Sequence, residues 1–194
     1  MRRFAVLASF ALASCATAPA VSTAETTAPE SEPAAFWDRL SALCGSAFEG
    51  APVHVPESDS AFVDRRLVMH VSECGASEIR IPFHVGDDRS RTWVVRRTAE
   101  GLQLKHIHRY EDGRESSNTN YGGTAVQSGT THRQEFPADA HSIAAVAGRA
   151  SQWWFLEIYP GHRFAYGLFR AETGSHYRIE FDLTRPIAPP PPAW

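Results

Sequence analysis

Apolar residues recur at every second position along most of this chain, and turn residues interrupt them about every 8–12 residues, a pattern that confines the fold to β-structure. Leu67, Met69 and Val71 alternate; Ile79, Ile81, Phe83 and Val85 follow, then Trp93 and Val95. Leu102, Leu104, His106, His108 and Tyr110 share one face, with Gln103, Lys105 and Arg109 on the other. After Trp153 to Tyr159 come Phe164, Tyr166 and Leu168, and finally Tyr177, Ile179, Phe181 and Leu183 against Arg178, Glu180 and Asp182. Turn signals divide the runs: Gly75-Ala76, Gly86-Asp87-Asp88, Glu100-Gly101, Asp112-Gly113, Gly122-Gly123, Pro160-Gly161 and Thr173-Gly174. Gaps this short demand antiparallel neighbours, because a parallel crossover needs about a dozen residues. The expected fold class is therefore all-β, an up-and-down meander of about eight to ten strands that closes or splits to protect its edges.

Two segments break this rhythm. Pro33 to Cys44 carries Phe36, Leu40 and Leu43 on one helical face, and Gly45 offers a left-handed stop. The Ala-rich stretch from Pro137 to Gly148 has weak periodicity and is expected to hold a short helix near 138–147. The N-terminal helix running into Gly45-Ser46-Ala47-Phe48-Glu49-Gly50 resembles the helix, glycine and aromatic that open calycin barrels, the group of lipocalins and fatty-acid-binding proteins. That resemblance implies a closed barrel. The body also resembles an uncharacterised group of bacterial secreted proteins, which implies nothing about chemistry.

The amino terminus addresses the chain. Arg2 and Arg3 precede an apolar run from Phe4 to Ser14, too short for the roughly 20 residues of a membrane span but right for a secretory signal. Leu12-Ala13-Ser14-Cys15 resembles the lipobox of bacterial lipoproteins. The resemblance implies removal of residues 1–14, lipidation of Cys15, and, with Ala16 following, release to the outer membrane on its periplasmic side. The alternative is ordinary cleavage after Ala18, giving a soluble periplasmic or secreted protein. Residues 15–34, rich in Ala, Thr, Ser, Pro and Glu, read as a solvated tether, residues 35–185 as a single β-barrel domain, and residues 186–194 as a Pro-rich tail. That tail cannot continue a sheet and is expected to be a loose polyproline end, with Trp194 free to fold back or meet a partner.

Charge narrows the partners. The whole chain carries a formal −3; losing Arg2 and Arg3 makes it −5, and discounting Glu25, Glu30 and Glu32 of the tether leaves −2 on the body. With no run of bases, nucleic acid is not an expected partner. The expected partners are the membrane, through the anchor, and a small apolar ligand. With Cys15 lipidated, Cys44 and Cys74 remain as an even pair in an oxidising compartment and are expected to form a disulfide.

Residues able to carry chemistry are few. His106 and His108, two apart on a strand, face the same side and could share a metal ion, with His70, His84 or His162 as a third ligand. Equally, His106, His108 and Tyr110 could line a ligand cavity by hydrogen bonding. Arg91, Arg96 and Arg97 could recognise an anion or lie exposed on strands. The sequence holds no Gly-x-Ser-x-Gly elbow, no His-Glu-x-x-His and no phosphate loop, so no catalytic residue and no cofactor is assigned. The readings that remain are a non-catalytic envelope lipoprotein with a small apolar or amphipathic ligand in its barrel, a metal-binding protein or metalloenzyme using His106 and His108, and an accessory envelope protein without a ligand.

Overall fold

In the computed structural model, which describes residues 31–56, 61–125, 129–146 and 148–194, the alternating runs become strands. The leader, Cys15 and the tether as far as residue 30 lie outside the described residues. The strands are β1 (Ala47–His54), β2 (Leu67–His70), β3 (Glu73–Cys74), β4 (Glu78–Val85), β5 (Asp88–Thr98), β6 (Gly101–His108), β7 (Tyr121–Thr124), β8 (Arg133–Pro137), β9 (Gln152–Tyr159), β10 (Arg163–Arg170) and β11 (His176–Ile187). They form one antiparallel sheet in the order β7-β6-β5-β4-β2-β1-β11-β10-β9-β8, with β3 paired to β4. The first strand pairs with the last, Gly50 opposite Phe181 and Ala51 opposite Glu180, so the meander wraps into a nearly closed barrel.

One face of each alternation fills that barrel. Ile79, Ile81, Phe83 and Val85 of β4 meet Trp93 and Val95 of β5, Trp154, Leu156 and Ile158 of β9, and Phe164, Tyr166 and Leu168 of β10 in a single core. Trp153, next to Trp154 in the chain, faces outward against Phe169 at 4.4 Å between ring centroids. A helix, α1 (Glu32–Ser41), buries Phe36, Trp37 and Leu40 and plugs one end of the barrel. It starts at Glu32, inside the stretch assigned to the tether, because Pro33 suits the first turn and Glu32 places a negative charge at the positive end of the helix. Arg97 stacks on Trp37 at 4.7 Å and pairs with Asp38 at 3.6 Å, fastening the plug to the end of β5. Cys44 and Cys74 are joined in a disulfide across a separation of 30 residues, tying the end of α1 to β3. Closing a loop of that length contributes about 3–4 kcal/mol in the chain-entropy account.

The barrel closes at a seam between β7 and β8, where ladder pairing gives way to direct backbone approach. Gly122 and Gly123 lie inside β7 rather than in the turn expected of them. A Cβ on Gly123 would fall 1.6 Å from the Pro137 carbonyl oxygen, so only glycine lets the two strands meet. A short helix, α2 (Ala140–Ala145), clamps the junction. The Asp139 amide donates to the Gly122 carbonyl at 2.9 Å, and the Gly122 amide donates to Ser142 Oγ at 2.7 Å. Lys105, the only lysine of the chain, is buried here; its ammonium pairs with Asp139 and donates to the Asn120 carbonyl at 3.2 Å.

The carboxyl terminus departs from expectation in two ways. Pro186 and Ile187 belong to β11, opposite Phe48 and Ala47, beyond a register shift that places the proline near the ladder's end, where a missing N–H costs least. The remaining tail is docked on the outer wall rather than loose. The Trp194 amide donates to the Arg89 carbonyl, Arg89 Nη1 donates to the Pro192 carbonyl, both at 3.2 Å, and the guanidinium lies 5.8 Å from the Trp194 ring centroid.

Candidate functional site

His106 and His108 face the barrel interior, as their spacing on β6 predicts, and the aromatic residues around them determine what they can do. His106 is 2% exposed and stacks on Tyr121 with centroids 4.5 Å apart. Its Nδ1 lies 3.1 Å from the Tyr121 carbonyl, which can only accept, so the proton sits on Nδ1. Nε2, 2.7 Å from the Tyr166 hydroxyl, is then the acceptor. Tyr166 stands 3.1 Å from the Tyr177 hydroxyl, extending the chain of hydrogen bonds towards β11. His108 Nε2 shares a hydrogen bond of 3.0 Å with the Tyr121 hydroxyl. Burial pushes His106 down to about 3; burial, with the positive charges of Arg91 and Arg149, holds His108 at about 4. Burial also drives Tyr121 up to about 12. At neutral pH His106, His108 and Tyr121 are therefore all uncharged.

Tyr110 does not join them. β6 ends at His108, the chain turns through Tyr110–Gly113, and period two no longer applies. Tyr110 is 48% exposed beneath the Arg114 guanidinium, outside the interior it was expected to line. The expected third metal ligands are likewise elsewhere. His70 and His84 alternate with inward Met69, Phe83 and Val85 and so stand on the outer wall, while His162 is exposed in the β9–β10 turn. Both nitrogens of His106 already have partners, and among the described residues no three His, Cys, Asp or Glu converge as a metal would require.

Beside the two histidines, among the described residues, the interior is filled by side chains. Trp93 lies between Phe83 and Tyr166, at 4.6 and 4.3 Å, and the void beside His106 and His108 measures about 40 Å³. A water molecule occupies about 30 Å³ of liquid, so this void suits one water bridging the polar groups.

Space opens instead at the barrel end opposite α1, where β10 finishes and β11 begins. A cleft of about 410 Å³ is walled by Phe62, Tyr121, Trp154, Leu168 and Tyr177. Arg149, on the single 3-10 turn Arg149–Ser151 before β9, reaches into it. The guanidinium stacks over Tyr121 at 4.3 Å and donates through Nη2 to Asn118 at 2.8 Å. Arg170, also on the wall, donates to Gln152 at 3.2 Å. Neither arginine has a carboxylate partner among the described residues. The three arginines singled out in the sequence are all paired: Arg91 with Asp88, Arg96 with Glu78 and Arg97 with Asp38. Arg149 escaped the sequence reading because it follows an aperiodic stretch, and nothing in one dimension shows which arginine lacks an acid.

Two further hollows, of about 720 and 480 Å³, flank the docked tail on the outer wall. Their charges are largely met, Arg66 by Glu49 and Arg80 by Glu73 and Glu78. The chain matches no family model, no curated protein and no solved structure.

Proposed function

We propose that this chain is a non-catalytic lipoprotein, anchored through Cys15 on the periplasmic side of the outer membrane, that binds a small amphipathic molecule at the mouth of its barrel. The observation that carries the reading is the contrast between a void of about 40 Å³ inside the barrel and an aromatic-walled cleft of about 410 Å³ at its end. Small-ligand clefts usually measure about 300–1,000 Å³ and combine apolar walls with a few polar groups. The expected interior site thus moves to the mouth, where Tyr121, stacked on His106 and hydrogen-bonded to His108, forms part of the wall. Lipid anchoring would hold such a cleft near the membrane, where amphipathic molecules concentrate.

A neutral solvatochromic dye, N-phenyl-1-naphthylamine, tests the site. It should bind saturably to the purified chain. Val146 is 42% exposed on the cleft rim, and V146W should weaken binding at least about fivefold by filling the space. Val53, 60% exposed on β1, serves as the control, and V53W should leave binding unchanged. Absence of saturable binding, or equal effects of the two substitutions, would remove the mouth as a ligand site.

A further inference from the structure

Arg149 combines two properties that rarely coexist in a folded chain: it is nine-tenths buried, and its Nη1 has no hydrogen-bond partner among the described residues. A buried guanidinium normally meets a carboxylate, because an unpaired charge away from water is costly. Ser151, two residues on and also lining the cleft, has a buried hydroxyl without a partner among the described residues. Two orphaned donors thus line one cleft beside a second arginine, Arg170. Burial disfavours the charged form of Arg149, and the positive charge of Arg170 acts in the same direction, so an incoming anion would relieve both. Glu172, exposed at the rim, is the acid among the cleft residues and makes no ion pair with either arginine.

Resting on the mouth reading above, we propose that the cleft selects anionic amphiphiles: an oxyanion head takes the free donors of Arg149 and Ser151, and the apolar body lies along Tyr121, Phe62 and Val146. Charge-assisted bonds to a guanidinium are roughly twice as strong as neutral ones, and a planar head can accept two at once. The surrounding rings supply the apolar contact that a free inorganic anion would not use. The site therefore discriminates by head-group charge and requires a hydrophobic body.

Calorimetric titration of the full chain with octanoate, octyl phosphate, 1-octanol and inorganic phosphate separates these elements. Octanoate is expected to bind at least about tenfold tighter than octanol, and inorganic phosphate more weakly than either anionic amphiphile. Octyl phosphate against octanoate reports whether the head is a phosphate or a carboxylate; anion selection predicts that both outrank octanol. R149M should bring octanoate to the level of octanol and leave octanol unchanged, while R149K should retain part of the preference. R170Q, at the wetter edge of the cleft, should lower the preference by a few fold and provides the test if R149M does not fold. Equal binding of octanoate and octanol to the native chain would overturn anion selection while leaving the mouth site standing. Failure of all four to bind would overturn both.

Discussion

Substituting Gly123 by alanine is expected to destabilise the fold by about 3 kcal/mol or more, at the upper end of what overpacking costs. For a domain of this size that is a fall of roughly 6–12 °C in melting temperature. The cause is steric. Gly123 sits in β7 with its missing Cβ aimed at the Pro137 carbonyl, 1.6 Å away, and the atoms that would have to give are backbone. Parting β7 from β8 would also loosen the Gly122–Ser142 and Gly122–Asp139 bonds and expose the Lys105–Asp139 pair. Gly161 is the control: its φ is +69° in the β9–β10 turn, with nothing within 4 Å of its would-be Cβ. Gly161→Ala should cost only about 1 kcal/mol, the ordinary cost of a left-handed backbone. Thermal melts of the two variants compare close approach with conformational preference. Equal losses would mean that the seam is not held by direct contact between the strands.

The second large effect is expected from pH. His106 and His108 titrate at about 3 and about 4 in the folded protein and at 6.5 when unperturbed. The unfolded chain therefore binds more protons between those values, and stability rises with pH there. The contribution is fully present above pH 6.5 and is lost progressively as pH falls towards 4. Each histidine contributes a slope of roughly 1.4 kcal/mol per pH unit. The depressed carboxylates of Asp139 and Glu157 are lost only at lower pH. Burial opposes ionisation at both, but hydrogen bonds and charge outweigh it: Lys105 and Ser142 for Asp139, Arg133 and Arg178 for Glu157. Denaturant unfolding from pH 7.5 to 4.5 should show a plateau and then a steep fall below 6.5. In His106→Gln the fall should be shallower by about one histidine's slope, whatever the variant's starting stability. An unchanged slope would mean that His106 is not held neutral by the barrel.

The architecture is legible in the sequence because β-structure writes itself as alternation. The inward rows of β4, β5, β9, β10 and β11 can be read directly, and so can the interior placement of His106 and His108. Legibility stops where periodicity stops. Tyr110 continues the row in sequence but not in space, because β6 ends two residues before it. The pair Gly122-Gly123 reads as a turn, since a sequence does not reveal which backbone another strand must touch. Pro186 reads as a strand breaker, although a bulge and a ladder end make room for it. The mouth cleft is harder still. It joins Arg149 from an aperiodic stretch, Tyr121 from an edge strand and Trp154 from the core, and its defining property is a missing partner. Alternation likewise does not distinguish a hollow barrel from a filled one: Trp93 lies at an inward position in either case, and only the stacking of Phe83 and Tyr166 on it fills the space.

A ligand held at the barrel mouth, and not within the barrel, should stay with the protein through purification. Native mass spectrometry of the protein purified from the cells that produce it tests this. A ligand seated at the mouth should appear as a small noncovalent adduct on the native chain that is lost in V146W and retained in V53W. An adduct that survives V146W, or a native chain that carries none, would contradict that placement.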